Sequence, residues 1–148
     1  MSTCAFCQIA SGSVPASIVF EDAGTIAFLD HRPLFPGHCL LIPRQHLETL
    51  IDVPPQTLTQ LSANARLLAI AMENGLGAQG AFVAINNRVS QSVPHLHVHV
   101  VPRTKGDGLK GFFWPRQKYR GAEHEQEVRD TLAYSVKELQ RGNVLEES

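Results

Sequence analysis

The stretch HLHVHV, residues 95–100, sets three of the chain's seven histidines at alternate positions, with Leu96, Val98 and Val100 between and after them. Strict alternation of this kind predicts a half-buried β-strand. Successive strand side chains point to opposite faces, so His95, His97 and His99 share one face, their Cα atoms stepping by about 6.7 Å. The apolar face packs on a core. Three imidazoles in file on one side of a sheet point to a site rather than to an ordinary solvated face.

Working outward, short apolar runs at SIVFE (17–21), TIAFLD (25–30), CLLIP (39–43), AFVAIN (81–86) and LHVHVV (96–101) read as strands. The turn DAG (22–24) joins the first two as a hairpin. Pro54-Pro55 opens a helix whose Leu58, Leu61, Ala65, Leu68 and Met72 recur at helical spacing, with Gly75 as its stop. This helix is expected to cover the apolar face of the sheet. A second helix, about 123–141, carries Val128, Leu132, Val136 and Leu139 on one stripe and ends at Gly142. Hairpins with segregated helices predict an α+β fold: an antiparallel five-stranded sheet with two main helices. One domain over 1–148 is expected, with a core of about 4–103 and a C-terminal loop and helix over 104–148.

A net charge of −1 over 148 residues argues against a broad basic surface for nucleic acid. No run approaches the length of a membrane helix, and the N-terminus lacks signal-peptide design, so a cytoplasmic protein is expected. Three cysteines, Cys4, Cys7 and Cys39, make an odd set that does not suggest a disulfide framework.

Three chemistries suit the histidine row. As metal ligands, His-x-His could chelate a catalytic zinc with His38 as third ligand, but residues 74–106 contain no Asp or Glu to orient the imidazoles. As a nucleophile, a histidine is largely neutral at pH 7 without tuning, and its neighbours, charged or donating, can hold phosphate oxygens. As a binding site alone, the imidazoles, Ser92 and nearby amides would hold a phosphate without chemistry.

The motif HLHVHVV, together with FEDAGTIAFLDHRPLFPGHCLLIPRQH (20–46), QSV (91–93) and VPR (101–103), resembles the histidine triad (HIT) family of nucleotide hydrolases and transferases over about residues 4–103. The resemblance implies a homodimer whose sheets join, and hydrolysis or transfer at the α-phosphate of purine nucleotide derivatives such as nucleoside phosphoramidates or dinucleoside polyphosphates. It implies His97 as nucleophile, forming a nucleotidyl-histidine, with His99, His38 and Ser92 at the phosphate. It further implies Asp30 at the ribose, Phe28 and Val14 near the base, and Asn86 and Gln91 on the phosphate side. A non-catalytic purine nucleotide sensor on the same fold is the alternative. The sequence departs from the family at NNRVSQSVPH (86–95), where Arg88 and Ser90 stand at glycine positions. Glycine tolerates φ > 0, so the departure bears on the loop's geometry. In related proteins a Trp-Pro segment, here Trp114-Pro115, approaches the partner subunit.

CAFC (4–7) is a Cys-x-x-Cys unit, half of a zinc site by spacing alone. Bacterial-type members of the family complete it with histidines matching His46 and His95, which implies one structural zinc per subunit held by Cys4, Cys7, His46 and His95. No organic cofactor is expected.

Overall fold

A computed structural model of the chain describes residues 3–110 and 116–142. They form two compact units, divided between Asp107 and Gly108. In the first, the order is α1 (Ala5–Ala10), β1 (Ile18–Glu21), β2 (Thr25–Leu29), β3 (Cys39–Pro43), a 3-10 turn (Leu50–Asp52), α2 (Pro55–Leu76), β4 (Gly80–Ala84) and β5 (Val98–Arg103). The five strands make one antiparallel sheet in the order β1-β2-β3-β5-β4. The α+β expectation and all five strands are therefore observed. The last strand begins two residues later than its sequence pattern suggests, at Val98, and runs through Arg103.

Alternation along the strands sends side chains into two separate cores. Cys39 and Leu41 of β3, with Leu96, Val98 and Val100, pack against Leu61, Ala65, Leu68 and Met72 of α2. Leu40 and Ile42 point the other way and join Ile26, Phe28 and Phe6. The helix α2 starts at Pro55, where a missing N–H costs nothing, and passes through Gly75 to a left-handed cap at Gly77, φ 69°. Gly75 is thus not the stop, because the αL conformation that ends the helix falls two residues on.

Short helix α1 has no counterpart among the sequence expectations. At six residues it is below the length at which a helix has a readable period or stands alone. It lies on the histidine side of the sheet and covers part of that face: His95 and His97 are buried.

Asp22 closes the β1–β2 hairpin. Its Oδ1 accepts from the amides of Gly24 and Thr25 and the Thr25 hydroxyl, and its Oδ2 from Gln60 and Asn64 of α2. Burial would raise its pKa, but the bonds from Asn64, Thr25 and Gly24 outweigh it and hold the carboxyl at about 2.

The second unit contains α3 (Ala122–Arg141). Its stripe residues Leu132, Val136 and Leu139 are exposed, so helical spacing did not imply burial there. Trp114-Pro115 lies outside the described residues.

Candidate active site and metal centre

Backbone groups fix the protonation pattern of the histidines one by one. A carbonyl oxygen can only accept, and an amide N–H can only donate. His95 Nε2 lies 2.8 Å from Pro43 O, so Nε2 carries the proton and the Nδ1 lone pair faces the N-terminal cysteines. His97 Nδ1 lies 2.8 Å from His95 O, so Nδ1–H donates and Nε2 keeps its lone pair. The Leu34 amide donates to His38 Nδ1 at 3.1 Å, so the neutral His38 carries its proton on Nε2. His38 Nε2–H then donates to His99 Nδ1 at 3.0 Å, which leaves His99 with its proton on Nε2. The row therefore offers a lone pair at His97 flanked by a donor at His99.

Electrostatics agree with neutral neighbours. Burial pulls the His38 pKa down against the raising pull of Asp30. Burial, then the positive charges that His97 and His38 would carry, take His99 down to about 4, with Asp30 opposing. His99 is thus a donating rather than a charged neighbour at pH 7. His95 is likewise lowered by burial first, the Pro43 bond opposing and His46 and His97 adding to the fall.

The rings are close: His97 and His99 centroids are 5.0 Å apart, and His38 and His99 5.2 Å. Asp30 Oδ2 sits 3.8 Å from His38 Nε2, while its Oδ1 accepts from the Arg32 amide at 2.9 Å. Phe28 is buried and meets Phe6 edge-on at 5.4 Å. Val14, Asn86 and Ser92 are exposed. The Gln91 side chain bridges two backbone groups, accepting from Arg88 N at 2.8 Å and donating to Glu48 O at 2.6 Å. Asn87 Oδ1 accepts from Leu50 N, a second clip from this loop to the same segment. Arg88 and Ser90 adopt φ 66° and 61°. The loop keeps the left-handed turns that glycine favours, held by side-chain amides instead.

Across the sequence, Cys4, Cys7, His46 and His95 gather so that their donor atoms lie within 4.8 Å of one another and could hold a metal ion. Cys4 Sγ and Cys7 Sγ are each 3.5 Å from His95 Nδ1, and Cys7 Sγ is 3.2 Å from His46 Nδ1. Asp30, His38 and His99 form a second such group. Its polarity differs: the Leu34 amide keeps the proton on His38 Nε2, so that atom donates a hydrogen bond and presents no lone pair to a cation. His97 belongs to neither group among the described residues, so the row does not converge on one ion.

The sequence pattern did not reveal Phe6, whose ring stands edge-on to His95 at 5.9 Å and to His97 at 5.1 Å. An aromatic residue placed inside a chelating Cys-x-x-Cys pair is the signal that could have found it.

Residues 11–106 match the HIT domain family. An uncharacterized HIT-like protein of Mycobacterium tuberculosis is 38% identical over 124 residues, 80% of this chain and 86% of that protein. An adenylylsulfatase of Arabidopsis thaliana is 32% identical over 108 residues, 72% of this chain and 55% of that protein. Among solved structures, a Zn-bound histidine triad family protein from Mycobacterium smegmatis superposes with a TM-score of 0.70 at 38% identity, covering 91% of this chain and 96% of the other. With the histidine row, the five-stranded sheet and these likenesses together, the chain belongs to the HIT domain family.

Proposed function

We propose that the protein is a purine nucleotide-binding hydrolase or nucleotidyl transferase acting at an α-phosphate through a covalent nucleotidyl-His97 intermediate. The observation that carries this reading is the 2.8 Å bond from His97 Nδ1–H to His95 O, which leaves Nε2 unprotonated and fixes the ring's aim. In the first step the Nε2 lone pair forms a bond to phosphorus, and the bond to the leaving group breaks with its electron pair. The positive charge that develops on the ring is stabilised by the carbonyl at Nδ1–H. His99 Nε2–H donates to a phosphoryl oxygen, and His38 holds His99 in that tautomer. Water then attacks phosphorus, the P–N bond breaks, its pair returns to Nε2, and the water's proton passes to solvent.

Asp30 accepts the ribose hydroxyls, Phe28 and Val14 border the base, and Ser92 and Asn86 lie on the phosphate side. Gln91 acts there through the loop that its amide fastens. Nucleoside phosphoramidates and dinucleoside polyphosphates are the substrate classes to test. A relative that carries the name adenylylsulfatase supports a hydrolase over a sensor.

Cys4, Cys7, His46 and His95 would hold one structural zinc. Bonds of about 2.3 Å to sulfur and 2.05 Å to nitrogen in a tetrahedron place S and N about 3.5 Å apart. The S···N separations of 3.2–3.5 Å fit this. His95 Nε2–H donated to a carbonyl is the outer partner that such a ligand needs. When bound, the ion would cross-link α1 to the segments bearing His46 and His95 and would not itself contact the reacting phosphate.

The reading includes a homodimer, formed by pairing of the β4 edges. Strand β4 ends the sheet, and an apolar groove of about 340 Å³ lies between it and α2, lined by Leu50, Leu58, Leu61, Val83, Ile85 and Val98. Val83 on this edge is 49% exposed. An exposed apolar edge strand needs a partner, and a second copy supplies one. No described helix is long and apolar enough to cross a membrane; the reading includes a cytoplasmic protein, a compartment that suits a reduced Cys-x-x-Cys pair.

The test is a panel of adenosine and guanosine nucleotidyl substrates against wild type and His97→Ala. The variant is expected to keep nucleotide affinity and lose about 10²–10⁴-fold in turnover. Tight nucleotide binding with no turnover and no adduct on rapid quench of the wild type would favour the sensor.

A further inference from the structure

We propose that occupancy of the Cys4/Cys7/His46/His95 centre positions His97, through α1 and the His95 main chain, so that the centre controls adduct formation as well as fold stability. The inference rests on the readings of His97 as nucleophile and of the four side chains as zinc ligands.

His95 belongs to both sites. Its Nδ1 faces the two sulfurs at 3.5 Å, and its carbonyl accepts the His97 Nδ1–H that sets the nucleophile's tautomer. Phe6 supplies a second link. It lies between the two cysteines on α1 and is α1's buried residue. Its ring walls His97 at 5.1 Å, His95 at 5.9 Å and Phe28 at 5.4 Å. Wherever α1 goes, the wall over the nucleophile goes with it.

That helix cannot hold itself in place. Six residues are well under the roughly 12–15 that an isolated helix needs. Arg44 Nη1 ties its C-terminal end through Ala10 O at 3.1 Å. Phe6, Ile9 and Ala10 rest on the smaller core of Ile26, Phe28, Leu40 and Ile42, and the N-terminal end meets the fold at His95 and at the exposed His46. A metal turns those contacts into bonds of fixed length and angle. The large core between the sheet and α2 includes no α1 residue. Releasing α1 therefore leaves that core intact, opens the smaller one and removes Phe6 from the histidine row. The consequence is a chain that stays folded with a misaligned nucleophile.

The experiment uses the full chain, zinc-loaded and after chelator treatment. Histidine ring ¹H–¹⁵N correlations read the His97 tautomer, and Phe6–His97 proton contacts are read by NOE. Circular dichroism reports the fold, and rapid quench with a nucleoside phosphoramidate at saturation reports adduct formation. Stripping is expected to erase the Phe6–His97 NOE, broaden the His97 Nδ1–H signal and slow adduct formation by roughly 10²-fold, the effect of a small misplacement. An unchanged NOE and tautomer in folded, stripped protein would overturn the proposal. Should stripping unfold the sheet, zinc-loaded Phe6→Leu decides. It is expected to keep one zinc per chain while its His97 signals shift and adduct formation falls roughly ten-fold. Unchanged His97 signals and rate overturn the coupling. Absence of adduct in zinc-loaded wild type sinks the nucleophile reading instead, and the NOE comparison still decides whether the centre positions His97.

Discussion

Substituting His99 by glutamine tests the claim that the donor beside the nucleophile is held neutral by the fold. The folded pKa of His99 is about 4, against 6.5 for the group in the unfolded chain. A histidine with a depressed folded pKa favours folding above the unfolded value, and the contribution is lost as pH falls from 6.5 toward 4, because the unfolded state takes the proton first. Between pH 7.5 and pH 5.0 these two values give a loss of about 2 kcal/mol from this one side chain. Since His99 is only partly buried, solvent screening reduces the expected figure to roughly 1–2 kcal/mol. His38 and His95 are shifted in the same direction, so the wild type should lose more than His99 alone accounts for. Glutamine retains an oxygen to accept from His38 Nε2–H, so the variant keeps that bond and removes the titration. Urea unfolding at both pH values, wild type beside His99→Gln, gives the comparison. The acid-induced loss should be roughly 1–2 kcal/mol smaller in the variant. Equal losses in the two proteins would refute the account of His99 as a neutral donor imposed by burial.

Three further outcomes follow from the surrounding structure. Asp22→Asn places an amide NH₂ against donors from Gln60 and Asn64 and should cost about 2 kcal/mol near neutral pH. The same carboxylate in wild type contributes above pH 3.8 and loses its contribution as pH falls to about 2, which acid titration of stability will show. Gly37→Ala should destabilise by about 2 kcal/mol or more in thermal melts, since φ is +101° and a Cβ would meet Leu76 Cδ1 at 2.5 Å. Nucleotide turnover should suffer with it, because His38 is the next residue. Arg88→Gly should stabilise by roughly 0.5 kcal/mol, relief of left-handed strain exceeding the added unfolded-state entropy. A destabilised Arg88→Gly would mean that the arginine side chain holds the loop.

The loop at 86–91 shows the limit of reading residues by preference. Replacement of glycine by Arg88 and Ser90 drew attention to its geometry, yet both positions keep φ near 60°. Local preference is worth about 1–2 kcal/mol per residue. The clips from Asn87 and Gln91 to Leu50 and Glu48 oppose it, and they join positions about forty residues apart in sequence. The helix α3 forms where its periodicity places it, with Leu132, Val136 and Leu139 exposed: periodicity specifies which residues share a face and says nothing of what covers that face.

Periodicity and turn chemistry, which act over a few residues, determined the strands, the long helix α2 and the single face shared by His95, His97 and His99. Tertiary structure alone decided which nitrogen of each imidazole carries the proton. The deciding groups are the carbonyls of Pro43 and His95 and the amide of Leu34, and a backbone carbonyl looks the same from any residue in a sequence. Tertiary structure also decided the place of α1 and Phe6, because six residues carry too little local free energy to specify a helix until a sheet is there to receive it.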